Sequence, residues 1–360
     1  KRIIKIKKKQ WLNNYLDATK YKDIDLIVEL IGGAEGPAKK LVFNALNNKK
    51  HVVTANKALI AKYGDQLAKI AEKNKVNLEF EASVCGGVPI IRSLKESLIA
   101  NKISKIYGIF NGTSNYILSS MDKQKKSFND VLSNAKKLGY AESNPSADLN
   151  GDDVSSKLKI LSSLCFSSFL NNNIYVEGIK NIDRVDIDNA NKLGYKIKLL
   201  GFAELLDNKI YQRVHPTLIK KESYVASIDG VLNAVIVDGK PVGQSTIQGE
   251  GAGPAATTSA LVSDISSISR GNIKFPFSLS SKERKKLRFT DIEERFFSAY
   301  LRFEVLDKPG ILSNITRIFS KHKVSIKRLV QNPDRNKKSS SIIIITHESK
   351  DKFLKKVLKE

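Results

Sequence analysis

Apolar positions change their pattern along the chain, and the changes mark its parts. Up to about residue 88, short unbroken apolar runs alternate with stretches of helical period. Asp25–Ile31 (DLIVELI) is continuous and closes on Gly32-Gly33, as expected of a parallel strand buried on both faces. Pro37 to Asn47 places Leu41, Ala45 and Leu46 at helical spacing behind a proline suited to a first turn. His51–Thr54 predicts a strand, Ala58–Lys73 an amphipathic helix and Leu78–Ala82 a further strand. Alternation of this kind predicts βαβ units and a doubly wound sheet. The isoleucines alternating in Lys1–Lys9 (KRIIKIKKK) predict one more strand. A dinucleotide-binding sheet opens on a strand, a G-x-G-x-x-G turn and a helix. No such fingerprint precedes Asp25, so the expectation is an incomplete Rossmann-like domain over 1–88, its first β-α unit missing.

Beyond the CGGVP turn at Cys85 the pattern changes. Ile90–Ile99 predicts a helix and Lys105–Phe110 a strand, and 128–205 predicts helices parted by a polar loop, Glu142–Asp152. Alternation over 209–250 predicts short strands of a mixed or antiparallel sheet, and Gly249–Leu261 a glycine-rich turn running into a helix. Together, 89–265 read as an α+β domain with a mixed sheet. A Ser/Lys-rich stretch, 266–295, reads as a linker. In 296–360, strands at Tyr300–Val305, Val324–Gln331 and Ser340–Thr346 and helices at Ile311–His322 and Lys350–Leu358 make βαββα, a ferredoxin-like unit lacking one strand at its C-terminal end.

Composition narrows the classes. At 360 residues, 41% hydrophobic and 27% charged, the chain reads as a soluble globular protein of two or three domains. No apolar run approaches the roughly 18–20 residues of a membrane helix. Cys85 and Cys165, outside any CxxC pair, suit a reducing cytoplasm and read as structural. The net charge of +24 raises the question of nucleic acid, but the lysines are scattered through every segment, and nucleic-acid binding is not expected. His215, beside a proline at an expected strand end, reads as structural.

The chemistry concentrates in Leu138–Leu164. Glu142, Asp148, Asp152 and Asp153 precede a helix in which Lys157 follows Asp153 at i,i+4, on one face. Two readings stand: a helix N-terminus with a surface ion pair, or carboxylates in a cleft that receive an ammonium group beside a proton-delivering lysine.

This segment and Asn111–Met121 (NGTSNYILSSM) resemble the substrate-binding signature of homoserine dehydrogenases. DIDLIVELIGG at 23–33, KKHVVTANKALIA at 49–61, EASVCGGVPII at 81–91 and QGEGAG at 248–253 match the same family in order. The resemblance implies NAD(P)H-dependent interconversion of aspartate 4-semialdehyde and homoserine, on the route to threonine, methionine and isoleucine, with NAD versus NADP unreadable. It makes 89–265 the catalytic and dimerisation domain. It assigns Lys57 to the cofactor–substrate junction, Glu142 to the substrate amino group, Asp148 and Asp153 to substrate orientation, and Lys157 to acid–base work, with Lys57 and Asp153 as catalytic partners. Gly112 and Thr113 fall at the substrate; Ile31, Gly32, Thr54, Lys57 and Gly253 fall at the cofactor. Glu81, Val84, Gly86 and Val88 match a loop binding Na+ or K+, largely through carbonyls, a chemistry that suits hard cations; a plain glycine turn is the other reading. Departures are Asn144 for an acid, Ser114 for Thr or Cys, and Ala256 for a proline.

LDKPGILSNITRIF at 306–319 resembles an ACT domain. That implies amino-acid binding where a strand turns into a helix, at Gly310 and Asn314, threonine as effector, and pairing into a homodimer or homotetramer. A non-catalytic amino-acid sensor on a decayed dehydrogenase scaffold is the alternative, and a related reductase of another amino-acid aldehyde or keto acid is a second.

Overall fold

In a computed structural model, which describes residues 10–169, 174–290, 292–334 and 339–360, the chain forms two units. One comprises the chain up to Asn208 together with Gln212–Leu287, the other Arg288–Glu360 with Lys209–Tyr211. The strand expected at Lys1–Lys9 lies outside the described residues. Among the described residues, no helix is long and apolar enough to cross a membrane.

The first unit takes the predicted alternation, but the strand expected to be buried on both faces is covered on one, with Val28 38% exposed. The strand expected over Leu78–Ala82 stops at Glu79, and a turn of 3-10 helix follows. Strands β1 (Leu26–Glu29), β2 (His51–Thr54) and β3 (Leu78–Glu79) pair in parallel in that order, connected by helices α1 (Pro37–Asn47) and α2 (Lys57–Asn74). Val52, Val53 and Leu78 are fully buried, as are Ala38, Val42, Ala45 and Leu46 of α1 and Leu59, Ile60, Leu67 and Ala68 of α2. The expected strand at 25–31 ends early because Glu29 turns the chain. Leu30 and Ile31 beyond it are 60% and 52% exposed. α2 starts at Lys57, one residue earlier than its apolar stripe, because the Asn56 side chain caps it by accepting from Leu59 N at 3.1 Å.

The chain then crosses into an antiparallel sheet covered by helices. α3 (Ile90–Arg92) runs on into one π turn over Ser93–Ser97. β4 (Lys102–Ile109), α4 (Gly112–Gln124), α5 (Phe128–Lys137), α6 (Ser146–Asn150) and α7 (Asp152–Cys165) follow, so the loop expected at 142–152 contains a short helix. After β5 (Tyr175–Val176) and α8 (Arg184–Lys192) come β6 (Tyr195–Leu206), β7 (Lys209–Lys220), β8 (Leu232–Lys240), β9 (Gly243–Glu250) and α9 (Pro254–Ser269). The strands order as β7-β6-β4-β8-β9. The helices expected throughout 128–205 thus give way to a twelve-residue strand, β6. Its middle, Ile197–Gly201, is buried throughout. A strand with no exposed face has no alternation, and its apolar run cannot be told from a buried helix. His215 lies within β7 and not at a strand end, and burial, with Arg213 adding, pushes its pKa down to about 3.

Residues 266–295, expected as a linker, are only partly free. α9 runs to Ser269, and Phe277, 1% exposed, packs on Phe80 and Phe169 at ring-centroid distances of 5.4 and 5.5 Å. Arg284 pairs with Asp65 at 3.3 Å and Glu72 at 3.4 Å on α2. One aromatic in a polar stretch has no period, so this anchor is silent in the pattern.

The second unit begins with short strands β10 (Arg288–Phe289) and β11 (Phe296–Phe297). β12 (Tyr300–Leu306), α10 (Ile311–Lys321), β13 (Ile326–Asp334), β14 (Ser339–Thr346), β15 (Ser349–Lys350) and α11 (Asp351–Lys359) complete it. β14 is central, with β12 and β13 antiparallel on either side. Phe319, Val324, Ile342, Ile344, Leu354 and Val357 form the core between sheet and helices. This is the βαββα order read from the sequence.

Candidate active site

The polar centre forms where β4 ends and α7 begins. Asp153 stands in the first turn of α7, and Lys157, one turn on, returns along the same face; both are buried. Lys157 Nζ lies 2.8 Å from Asp153 Oδ2, and Lys57 Nζ, from the start of α2, lies 2.7 Å from Asp153 Oδ1. One carboxylate therefore joins two lysines from different layers. Lys157 also donates to the Phe110 carbonyl at 2.7 Å. Next to Phe110, Asn111 donates from Nδ2 to Asp148 Oδ1 at 2.7 Å and to Asp153 Oδ2 at 2.9 Å. Its Oδ1 accepts from Ser114 N at 2.7 Å and so caps α4.

Charge state follows from these contacts. Burial opposes ionisation of Asp153, but Lys157 and Lys57 outweigh it and hold the carboxyl well below the usual range. Burial likewise works against the Lys157 ammonium, and Asp153 beside it reverses the balance, raising the lysine above its ordinary value. Asp148 is shifted upward by burial, against the hydrogen bond from Asn111, with the Asp153 charge adding to the rise. Lys57, 44% exposed, is the solvent-facing member of the group. This arrangement decides against the surface ion-pair reading of Asp153 and Lys157.

Other expected residues take varied places. Gly112 and Thr113 form the first turn of α4, and Thr113 Oγ1 donates to the Tyr140 carbonyl at 2.7 Å, tying that turn to the segment before Glu142. Glu142 itself is exposed and has no side-chain hydrogen bond or ion pair among the described residues, so the structure does not bring it to the cluster. Ile31, Gly32 and Thr54 lie at the carboxyl ends of β1 and β2, gathered by a residue the sequence reading missed. Glu29, fully buried, accepts from Ile31 N at 2.7 Å, Gly32 N at 2.9 Å and Thr54 Oγ1 at 2.6 Å. An acid inside an apolar run was the available signal. Gly253, with φ +109, caps α9. Its loop packs on the CGGV turn through Gly87 N, which donates to the Glu250 carbonyl at 2.9 Å. Gly310 and Asn314 lie at the start of α10 in the second unit.

The CGGV turn is more than a glycine corner. The Glu81 carboxyl accepts from Ile91 N at 2.9 Å and Arg92 N at 2.7 Å, capping α3. Burial, with the Asp264 charge, pushes its pKa up to about 7 despite those bonds. The Val88 carbonyl accepts from Ile90 N at 2.7 Å and that of Glu81 from Val84 N at 3.3 Å; each keeps a second lone pair. Among the described residues, no three His, Cys, Asp or Glu side chains gather as a metal site. Any cation on this turn would rest on main-chain oxygens. Burial pushes the Cys85 thiol up, the opposite of an activated nucleophile.

For a dinucleotide the fit is good. Two left-handed glycines, Gly32 (φ +84) and Gly33 (φ +80), let the backbone approach a ligand closely at the carboxyl ends of parallel strands. Leu30 and Ile31 beside them present apolar surface that a flat ring can cover. A parallel sheet ending in this corner, beside a buried Asp–Lys pair that a solvent-facing lysine completes, defines a dinucleotide-dependent oxidoreductase. Comparison with known proteins names the family. Residues 89–266 match the family model of homoserine dehydrogenase, 5–81 that of its NAD-binding domain and 299–360 that of the ACT domain. The homoserine dehydrogenase of Neisseria gonorrhoeae is 42% identical over 94% of this chain and 79% of its own length. The crystal structure of a homoserine dehydrogenase from Thiobacillus denitrificans superposes with a TM-score of 0.90 at 41% identity, covering 96% of this chain and 80% of that one. The homoserine dehydrogenase of Bacillus subtilis is 36% identical over 98% of this chain and 82% of its own length. The chain belongs to the homoserine dehydrogenase family, NAD(P)-dependent oxidoreductases of amino-acid biosynthesis, and carries an ACT domain.

Proposed function

We propose that the buried cluster is the reaction centre for reducing the aldehyde of aspartate 4-semialdehyde to the alcohol of homoserine. The nicotinamide, when bound, supplies the hydride. Ile31, Gly32, Thr54, Lys57 and Gly253 would hold NAD or NADP, the first two through the exposed face of a loop whose N–H groups already serve Glu29. Lys157 carries the reading. Its ammonium has three N–H donors; Asp153 and Phe110 engage two at 2.8 and 2.7 Å, which leaves one for a substrate oxygen. A lysine held charged by its neighbours can donate to the oxygen on which negative charge develops. Lys57, sharing Asp153 and open to solvent, returns the proton. Asp148 and Gly112-Thr113 orient the amino-acid end, and Glu142 receives its ammonium group once its segment folds over the site.

Around this centre, a Na+ or K+ ion on the carbonyls of Glu81, Val84, Gly86 and Val88 would brace the turn beneath Lys157. The ACT domain would bind threonine at Gly310 and Asn314, and the protein would work in the cytoplasm as a homodimer or homotetramer. Lys157→Ala tests the centre: kcat for aspartate 4-semialdehyde should fall on the order of 100-fold or more, as for loss of a general acid. A fall under threefold in a folded variant removes Lys157 from the mechanism.

A further inference from the structure

A buried carboxylate, Asp153, and a half-buried one, Asp148, lie beside each other and need a donor between them. Asp148 and Asp153 share the two N–H bonds of one amide, Asn111, at 2.7 and 2.9 Å. Asn111 is itself 5% exposed. In the sequence this residue opens the stretch that resembles a substrate-binding signature, with no role of its own. We infer that Asn111 is a positioning residue of the reduction: its carboxamide sets the spacing of Asp148 and Asp153, and through Asp153 the place of both lysines. The inference rests on the role of Lys157 proposed above and extends it.

The orientation of the amide is decided by the helix. Because Oδ1 accepts from Ser114 N at 2.7 Å, the nitrogen must face the acids. Both of its hydrogens are then used, one on each carboxylate. The preceding residue, Phe110, offers its carbonyl to Lys157 at 2.7 Å, so a single dipeptide at the β4–α4 junction sets both the lysine and its counter-ion. Asp, Ser and Thr cap helices about as well as Asn does. None of them supplies two donors along with the capping oxygen. A cap alone would therefore tolerate those residues, whereas the positioning role requires the amide. The hydrogen bond from the amide works against the upward shift of Asp148; without it burial and the Asp153 charge would push that carboxyl further up.

Capping and positioning separate experimentally. Asn111→Ser keeps a capping oxygen and loses the bridge; it should still fold, with a lowered melting temperature because two carboxylates lose a donor. Its kcat with aspartate 4-semialdehyde should drop on the order of 10- to 100-fold, the effect of losing hydrogen bonds to charged groups, with KM for NAD(P)H unchanged. Asn111→Asp keeps the cap and puts a third carboxyl against the other two. Asp148 and Asp153 push its pKa up against Lys157 and the Ser114 N–H, so activity relative to wild type should rise as pH falls, where a protonated carboxyl donates again. Asn111→Ser within threefold of wild type, or an Asn111→Asp profile parallel to wild type, overturns the inference. Lys157→Ala in the same assay keeps two failures apart. If it is inactive while the Asn111 variants behave as wild type, positioning fails and the proposed mechanism stands. If it is active, the mechanism fails. Should Asn111→Ser lose its fold, the pH profile of Asn111→Asp decides.

Discussion

Replacing Asp153 by Asn removes one charge at the point where two lysines and an amide converge. Its carboxylate, 5% exposed, contacts Lys157 at 2.8 Å and Lys57 at 2.7 Å. Lys57 is 44% exposed, and its share is screened to within about 1 kcal/mol. Lys157 is buried, and stripping a buried charge of its partner costs about 3–5 kcal/mol. The variant should therefore be about 3–5 kcal/mol less stable at pH 7, read as a lower urea midpoint for the transition of the first unit. The pH dependence gives the sharper test. Because the native Asp153 carboxyl is held below its ordinary value, its contribution is fully present above the unfolded value of about 4 and is lost only as pH falls below that. The gap between wild type and variant should thus stay level from pH 8 to about 4.5. Urea unfolding followed by circular dichroism across that range tests it. A loss under about 1 kcal/mol, or a gap that closes between pH 7 and 5, would mean that burial rather than ion pairing sets the state of Asp153, and the account of the cluster fails.

Glu142→Gln preserves shape and removes charge on a side chain with no partner among the described residues. KM for the amino-acid substrate should rise about tenfold or more with KM for NAD(P)H unchanged, the loss expected for a hydrogen bond to a charged group; steady-state kinetics in which both constants rise together would make the residue structural. Phe277→Ala should destabilise the first unit by about 3–5 kcal/mol, the cost of emptying an aromatic site, because its ring sits between Phe80 and Phe169; a melting temperature within a degree of wild type would show that segment to be the free linker its composition suggests.

Much of the fold was legible because burial on one face leaves a period. The α1 and α2 stripes and the β1 and β2 runs lie where the apolar spacing puts them. β6 was misjudged because both its faces are covered. The π turn after α3 and the short α6 carry no period long enough to read. At the site, the i,i+4 spacing of Asp153 and Lys157 was visible, while their meeting with Lys57 was not: that contact spans 96 positions of sequence and depends on how α2 packs against α7. Asn111 and Glu29 escaped for a related reason. Each looks ordinary in its segment, one as a cap and the other as an acid near a strand end, and only the partners folding brings together give them a task.

Glu29 has a consequence for how the corner after β1 receives any guest. With Ile31 N, Gly32 N and Thr54 all fastened to one buried carboxylate, the corner is stiff before anything arrives. A molecule settling on it need not order it, so little affinity is spent on freezing the backbone. The Glu142 side chain, without a partner among the described residues, is the opposite case, since whatever it grips must also hold it still. Cutting the Glu29 clamp would accordingly make a tight corner slack: contacts would survive one by one, while the complex as a whole would form more weakly and part sooner.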